Sequence, residues 1–258
     1  MNNANLRNNI FFKMKSNTRN IFISISFFIV ILSFEIIPSN IFSKFGFTNI
    51  SLLPKVLADS GNDYFQKATI AVGKKDYENA IFYGEKGIKY YRKMKKTKDP
   101  KFIGLLTVVG LAKMESGNLQ GAIENFEESI LFSPDSYGYN LLGMAKEKAK
   151  DFKGAIEAFT KSIEAYKGSD KRIKLDGFTK RGFARLQNGD HKGAIDDYSE
   201  AIKILPDASF YMLRGYNKYL TGDFRGNCED IFMAEKIGTL DQNEINKMKD
   251  NFKCLLFE

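Results

Sequence analysis

One spacing of small residues recurs along this chain, and residues 175–206 carry its clearest copy. Ala194 follows Gly182 by twelve residues, and Ala201 follows Ala194 by seven more. The Asn-Gly-Asp run at 188–190 lies between the first two and is typical of a turn. Small residues let two helices approach closely, and Pro206 ends the second helix because proline cannot continue its hydrogen-bond ladder. The stretch therefore predicts one helix–turn–helix unit.

The same spacing predicts five such units in succession. Their equivalent positions are Ala80, Ala122, Ala155, Ala194 and Asn227. The intervals between these positions are 42, 33, 39 and 33 residues, and the shorter ones match a helical repeat of about 34 residues. The longer intervals predict insertions in the loops between repeats. We therefore expect an all-α solenoid over residues 61–241, with its core built between neighbouring repeats.

This pattern resembles the tetratricopeptide repeat (TPR) family. The aromatic, small, alanine, aromatic and proline positions of that family's signature fall on Phe178, Gly182, Ala194, Tyr198 and Pro206. The sequence departs from the signature in having no tryptophan, and in having Arg181 and Arg185 where the family has apolar residues. The resemblance covers residues 61–241. It implies a helical solenoid that binds other proteins and is not an enzyme.

Residues 242–258 are predicted to form one more helix after the fifth repeat. Asp241 can cap this helix together with Glu244, three residues further on. Apolar residues then recur at helical spacing, namely Ile245, Met248, Phe252 and Leu255. An open array needs its last apolar face covered, so this segment is expected to be a capping helix.

The segment before the repeats predicts export or membrane anchoring. Residues 1–20 are basic and rich in asparagine, and residues 21–37 are apolar apart from three serines and Glu35. A basic flank before such a run is typical of a signal peptide or a short membrane anchor, and cleavage after Ala58 or an uncleaved anchor both stay open. A buried core helix is the alternative. Because the basic side stays cytoplasmic, the repeats are expected on the non-cytoplasmic side, joined by the linker 38–60.

Charge argues against nucleic-acid binding. Of the formal net charge of +8, residues 1–58 carry +5 (six Lys/Arg, one Glu), which leaves +3 for the remaining residues. The repeats are therefore almost neutral, and a polyanion partner such as nucleic acid is not expected. One local exception is the stretch 86–101, with eight basic residues and only Asp99 opposing them. It is either a solvated surface or a contact for anionic lipid headgroups or an acidic partner.

No residue pattern predicts catalysis, a metal site, a cofactor or a small-molecule substrate. His191 is the only histidine, and its counterparts in the other repeats are aromatic or aliphatic. It is therefore expected to be a half-buried filler near the turn, and His191→Phe is expected to be neutral or stabilising. The absence of a second histidine excludes a histidine pair for a metal, and no glycine-rich phosphate loop follows a strand pattern.

Two further groups of residues receive structural interpretations. Asp196, Asp197 and Glu200 are expected on a solvated face of the fourth repeat's second helix. Cys228 and Cys254 could pair in an oxidising compartment, but no spacing brings them together, and we expect two free core thiols.

The TPR resemblance also implies a binding groove. In that family the first helices line a concave face, at positions three before, one after and four after the small residue. The partner-binding residues expected on this basis are Leu111, Met114, Asn140, Met144, Phe183, Leu186, Met212, Tyr216 and Tyr219. Glu147 is the one charged residue at such a position, so the groove is expected to be mainly apolar and to bind a protein or peptide. The alternative is a groove filled by neighbouring helices or by the linker.

Two functions compete at this point. The first is a protein- or peptide-binding scaffold or assembly factor, anchored in or exported across a membrane and using the groove. The second is a membrane-surface tether that acts through the basic stretch 86–101.

Overall fold

The computed structural model describes residues 60–238, 241–252 and 254. The predicted segments 1–20 and 21–37 and almost all of the linker lie outside these residues, as does Leu255. In the described part of the chain all regular structure is helical. The helices are α1 (Ser60–Gly73), α2 (Tyr77–Lys93), α3 (Pro100–Glu115), α4 (Leu119–Phe132), α5 (Ser136–Lys148), α6 (Phe152–Ala165), α7 (Lys171–Gln187), α8 (His191–Ile204), α9 (Ala208–Leu220), α10 (Phe224–Ile237) and α11 (Gln242–Asn251).

Each helix packs against the next along the chain, so α1 to α10 form five successive helix pairs. The pairs α1/α2, α3/α4, α5/α6, α7/α8 and α9/α10 coincide with the five predicted repeats. Contacts between the second helix of one pair and the first helix of the next build a continuous core, as expected for a solenoid. The predicted all-α solenoid of five repeats is confirmed.

The turn inside each repeat has one recurring geometry. A residue with positive φ, between 59° and 88°, comes directly before an Asp or Asn that caps the second helix. The positive-φ residues are Lys75, Gly117, Lys150, Gly189 and Gly222. The capping carboxylate or amide oxygen accepts a hydrogen bond from the backbone N–H three residues on, at 2.9–3.2 Å. These caps satisfy otherwise unpaired N–H groups and fix where each second helix begins.

Small residues make room for aromatic rings within the repeats. A Cβ added at Gly143 would lie 2.5 Å from the Phe159 ring, and one at Gly182 would lie 3.2 Å from the Tyr198 ring. Phe159 and Tyr198 are fully buried, as is Ala194 beside them on the second helix. The predicted close approach of the two helices therefore rests on these small side chains.

The additional residues that make two of the repeat intervals longer lie partly in helices, and not only in the loops between repeats as predicted. Helix α2 has 17 residues, whereas the second helices of the other four repeats have 14. Helix α7 has 17 residues, whereas the first helices α5 and α9 have 13. Helix α2 lies at the junction between the first and second repeats, and α7 lies at the junction between the third and fourth. These are the two junctions with the longer intervals.

Helix α11 packs on α10 and is linked to it covalently. Ile245 is fully buried, with Met248 and Phe252 packed against the same cluster. Cys228 on α10 and Cys254 form a disulfide, so the expectation of two free core thiols is wrong. The two cysteines are separated by 26 residues in sequence, and the packing of α11 across α10 brings them together. Spacing alone does not indicate that pairing.

Among the described residues, no helix is both long and apolar enough to cross a bilayer. The apolar run 21–37 lies outside them, so its predicted membrane role stays a prediction.

Candidate functional site

The groove positions differ in exposure along the array. Phe183, Tyr216 and Tyr219 have 38%, 46% and 38% of their surface exposed, respectively. All three lie on the first helices of the last two repeats, α7 and α9. The Tyr219 ring also packs edge-on against Phe224 and Phe252, with ring centroids 5.4 and 4.7 Å apart. We call Phe183, Tyr216 and Tyr219 the aromatic patch.

The remaining predicted site residues are more enclosed. Met114 is only 4% exposed and lies in the core between the second and third repeats, so it is not part of an exposed surface. The others are half-buried, namely Leu111, Asn140, Met144, Leu186 and Met212. Leu111 and Met144 pack against the same core cluster as Met114. Among the predicted groove positions, the exposed apolar side chains therefore lie on the last two repeats.

A polar network joins the third and fourth repeats at the predicted groove. Asn140 donates to the Asp176 carboxylate at 2.7 Å, and the Lys180 ammonium donates to the same carboxylate oxygen at 2.7 Å. Lys180 also donates to the Asn140 side-chain oxygen at 3.1 Å and lies 3.6 Å from the Met144 sulfur. Asp176 and Lys180 do not occupy any of the three groove positions that the family pattern gives for each repeat. The expectation of an almost uncharged groove is therefore wrong at this junction.

Glu147 adds a half-buried carboxylate on α5. Burial raises the pKa of this carboxyl, while the charge of Lys180 acts in the opposite direction. In the described part of the chain no hydrogen bond holds the Glu147 carboxylate. A partially desolvated carboxylate of this kind is a natural contact for a donor group on a bound partner.

A buried ion cluster holds the fourth repeat together. Asp197 is 1% exposed, and its carboxylate accepts hydrogen bonds from Arg181 at 2.7–3.1 Å and from Arg185 at 2.9 Å. Arg181 also donates to the Thr160 hydroxyl of the preceding repeat at 3.1 Å. The expectation that Asp197 lies on a solvated face is wrong, because its side chain points between α7 and α8 towards the two arginines. Only Asp196 of that group is fully solvent-facing, since Glu200 is half-buried.

The fifth repeat contains the same arrangement. Arg214 donates to Asp230 at 2.6 and 3.0 Å, and the Lys218 ammonium lies 3.0 Å from that carboxylate. Arg214 also donates to the Ser199 hydroxyl of the fourth repeat at 3.2 Å. Each cluster therefore joins the two helices of its own repeat to the second helix of the preceding one. In the sequence, Arg181 and Arg185 occupy positions that are apolar in the TPR signature. These substitutions are the feature from which a buried carboxylate partner could have been predicted.

His191 makes a specific polar contact in addition to filling space. Its Nδ1 lies 3.1 Å from the side-chain oxygen of Asn217, which is fully buried on α9. The Asn217 amide nitrogen donates to the Leu213 carbonyl at 2.8 Å. The half-buried position is as expected, but the contact links the fourth repeat to the fifth. Within the described residues, no group of three or more metal-ligating side chains comes together.

The comparisons with known proteins define the class of fold. A tetratricopeptide repeat family model matches residues 137–168, which span the third helix pair. Solved structures extend the likeness over most of the chain, and the fold is a TPR-type solenoid. Among the curated proteins, none matches the chain.

Three solved structures illustrate this likeness. A structure titled "Crystal structure of MamA protein" is 21% identical, with 76% of this chain and 96% of that chain covered at a TM-score of 0.60. MamA from Desulfovibrio magneticus RS-1 is 17% identical, with 70% and 96% covered and a TM-score of 0.58. YrrB, described as a TPR protein with an unusual peptide-binding site, is 14% identical, with 72% and 90% covered and a TM-score of 0.58. Identities at this level show the fold alone.

Proposed function

We propose that this protein is a TPR scaffold or assembly factor that binds a protein or peptide along the first helices of its repeats. The observation that carries the proposal is the aromatic patch. Three large aromatic side chains at equivalent or adjacent positions of two successive repeats keep more than a third of their surface exposed. Exposed aromatic side chains at matching positions of successive repeats are candidates for an interaction surface.

The aromatic patch can supply much of the binding free energy. Burying one large apolar side chain contributes on the order of 1.5–3 kcal/mol before the entropy of ordering is counted. Aromatic residues with few rotatable bonds are frequent hot spots, so Phe183 and Tyr216 are the expected anchors. YrrB has this fold and is described as having a peptide-binding site. That description supports a peptide as the kind of ligand that a TPR solenoid can bind.

The polar network next to the patch can orient the partner. Asp176 and Lys180 present a charge pair at the junction of the third and fourth repeats, and Glu147 presents a carboxylate without a hydrogen bond in the described structure. Apolar anchors with a few placed polar groups give a site both affinity and direction. We therefore place the partner across α5, α7 and α9.

The proposed location is the non-cytoplasmic side of a membrane, with the protein anchored or exported. Two observations support it. The sequence contains the basic and apolar segments 1–20 and 21–37, and the Cys228–Cys254 disulfide joins the fifth repeat to the C-terminal segment. Disulfides form and persist in oxidising compartments and are rare in the reducing cytosol.

The experiment is a capture assay with the full chain as bait and a native membrane extract as the source of partners. The bait variant combines Phe183→Ala and Tyr216→Ala, and the control is Leu131→Ala, which truncates a 77% exposed leucine on the second helix α4. The proposal expects a partner that the parent and the control retain and the double variant loses, with unchanged helical content. Equal recovery by all three baits would contradict it.

A further inference from the structure

The outer surface of the first repeat has a basic stripe. On α2, Phe82 is followed by Lys86, Lys89 and Lys93 at intervals of four, three and four residues, which places the four side chains on one helix face. Phe82 is 49% exposed, and the three lysines are exposed as well. Lys95 and Lys96 extend the stripe beyond the end of the helix. We call these six residues the basic stripe.

Three carboxylates near the stripe are engaged elsewhere, whereas Glu78, four residues before Phe82 on α2, is exposed and has no ion pair among the described residues. Glu85 pairs with Lys113 at 3.0 Å, and Glu128 pairs with Arg92 at 2.6 Å. Asp99 caps α3 through the amide of Lys101. Among the described residues, no carboxylate pairs with Lys86, Lys89, Lys95 or Lys96. Their positive charge is therefore available to an external anion.

An aromatic side chain lies within this positive surface. The Lys86 ammonium lies 4.0 Å from the centroid of the Phe82 ring, so charge and ring share one exposed site. On a membrane surface such a ring can enter the headgroup boundary while the neighbouring ammonium groups contact lipid phosphates.

The chain enters the repeats at the level of the C-terminal half of the stripe. A Cβ added at Gly61 would lie 2.8 Å from the Tyr91 ring and 2.9 Å from the Tyr90 ring. Gly61 therefore lies against the C-terminal end of α2, between the levels of Lys89 and Lys93. The linker 38–60 connects this point to the apolar run 21–37, which is predicted to insert into a membrane.

We infer that the basic stripe docks on the surface of a bilayer containing anionic lipid. Binding of a surface helix to a bilayer scales with the apolar area that it buries and with its attraction to anionic lipid, and the stripe supplies one exposed ring and five lysines. The stripe lies on a second helix, whereas the proposed partner surface lies on first helices, so the two surfaces can be occupied together. This inference goes beyond the scaffold function and does not depend on the aromatic patch.

The absence of tryptophan from the sequence allows a direct test in the full chain. Phe82→Trp introduces a single tryptophan within the stripe, which can be excited selectively at wavelengths where tyrosine does not absorb, and the protein is reconstituted in vesicles of phosphatidylcholine with or without phosphatidylglycerol. We expect blue-shifted emission and quenching by bromine-labelled lipid in the anionic vesicles only. The effect should be lost when Lys86, Lys89 and Lys93 are all changed to Gln.

A matched control uses Phe224→Trp, at a phenylalanine that is 51% exposed on the fifth repeat, where no quenching is expected. Position 82 remaining unquenched in both vesicle types would overturn the inference and point to an acidic protein as the ligand of the stripe. Equal quenching in neutral and anionic vesicles would also overturn it, because the lysines would then have no role. So would quenching that persists in the triple Gln variant.

Discussion

Arg181 and Asp197 form a buried ion pair between α7 and α8. Three hydrogen bonds of 2.7–3.1 Å join the guanidinium of Arg181 to the Asp197 carboxylate, which Arg185 also contacts. The same relationship recurs between Arg214 and Asp230, 33 residues further along. Val109 and Leu142 occupy the position of Arg181 in the second and third repeats, so the last two repeats use an arginine where these repeats use an apolar side chain.

Removing the Asp197 carboxylate should destabilise the protein strongly. Asp197→Ala leaves two buried or half-buried arginines without their partner, and breaking a buried pair from one side costs about 3–5 kcal/mol. Denaturant unfolding monitored by circular dichroism measures the change. The control is Asp196→Ala, at the exposed neighbouring position, which should change the unfolding free energy by less than about 0.5 kcal/mol. Similar small effects from both variants would show that the cluster contributes little.

Substitution of His191 should now be destabilising rather than neutral. His191→Phe removes the partner of the buried Asn217 side-chain oxygen, and an unsatisfied buried acceptor costs about 1–3 kcal/mol. A double-mutant cycle with Asn217→Leu isolates this coupling. If the two changes are additive, the hydrogen bond makes no net contribution, and an unchanged unfolding free energy in His191→Phe would support the role of a simple filler.

These two residues show what the sequence could and could not predict. The turns at 188–190 and the close approach at Gly182 were predictable, because turn chemistry and small residues act locally and recur at each repeat. Asp197 was assigned to the wrong face, since helical periodicity cannot show that two basic residues on the neighbouring helix replace an apolar contact. The Cys228–Cys254 pairing depends on how α11 crosses α10, which no local pattern contains.

The candidate site was predictable to a similar extent. The repeat register located Phe183, Tyr216 and Tyr219 on first helices, but it could not distinguish exposed from enclosed positions, and Met114 lies in the core. Lys180 was missed because it falls between the counted positions and reaches the groove only through its long side chain.

The charge on Glu147 should oppose folding at neutral pH. Its pKa in the folded protein lies above the ordinary value of 4.5, so the folded state binds the proton more tightly than the unfolded chain does. The carboxyl therefore costs no stability while it is protonated, and the cost appears as pH rises from about 4.5 through the raised pKa. We expect Glu147→Gln to raise the melting temperature at pH 7 and to have no such effect at pH 3.5. A higher melting temperature at both values, or at neither, would contradict this assignment.

Reduction of the disulfide should loosen the C-terminal helix selectively. Cys228→Ser combined with Cys254→Ser removes a cross-link over 26 residues, which chain-entropy estimates place at about 3 kcal/mol. Hydrogen exchange followed by mass spectrometry should show faster exchange in α11 while α3 to α8 stay protected. Uniformly faster exchange across all repeats would instead mean that the disulfide stabilises the array as a whole.

The central claim is that the partner binds the aromatic patch, and the most direct test is the affinity of the captured partner for single variants at low and high salt. We predict that Phe183→Ala and Tyr216→Ala each weaken binding by about tenfold or more, while Leu131→Ala has no effect. Raising the salt concentration should change the affinity less than either substitution, because the patch itself is uncharged. Unchanged affinity in both aromatic variants, or binding abolished by salt alone, would contradict the account.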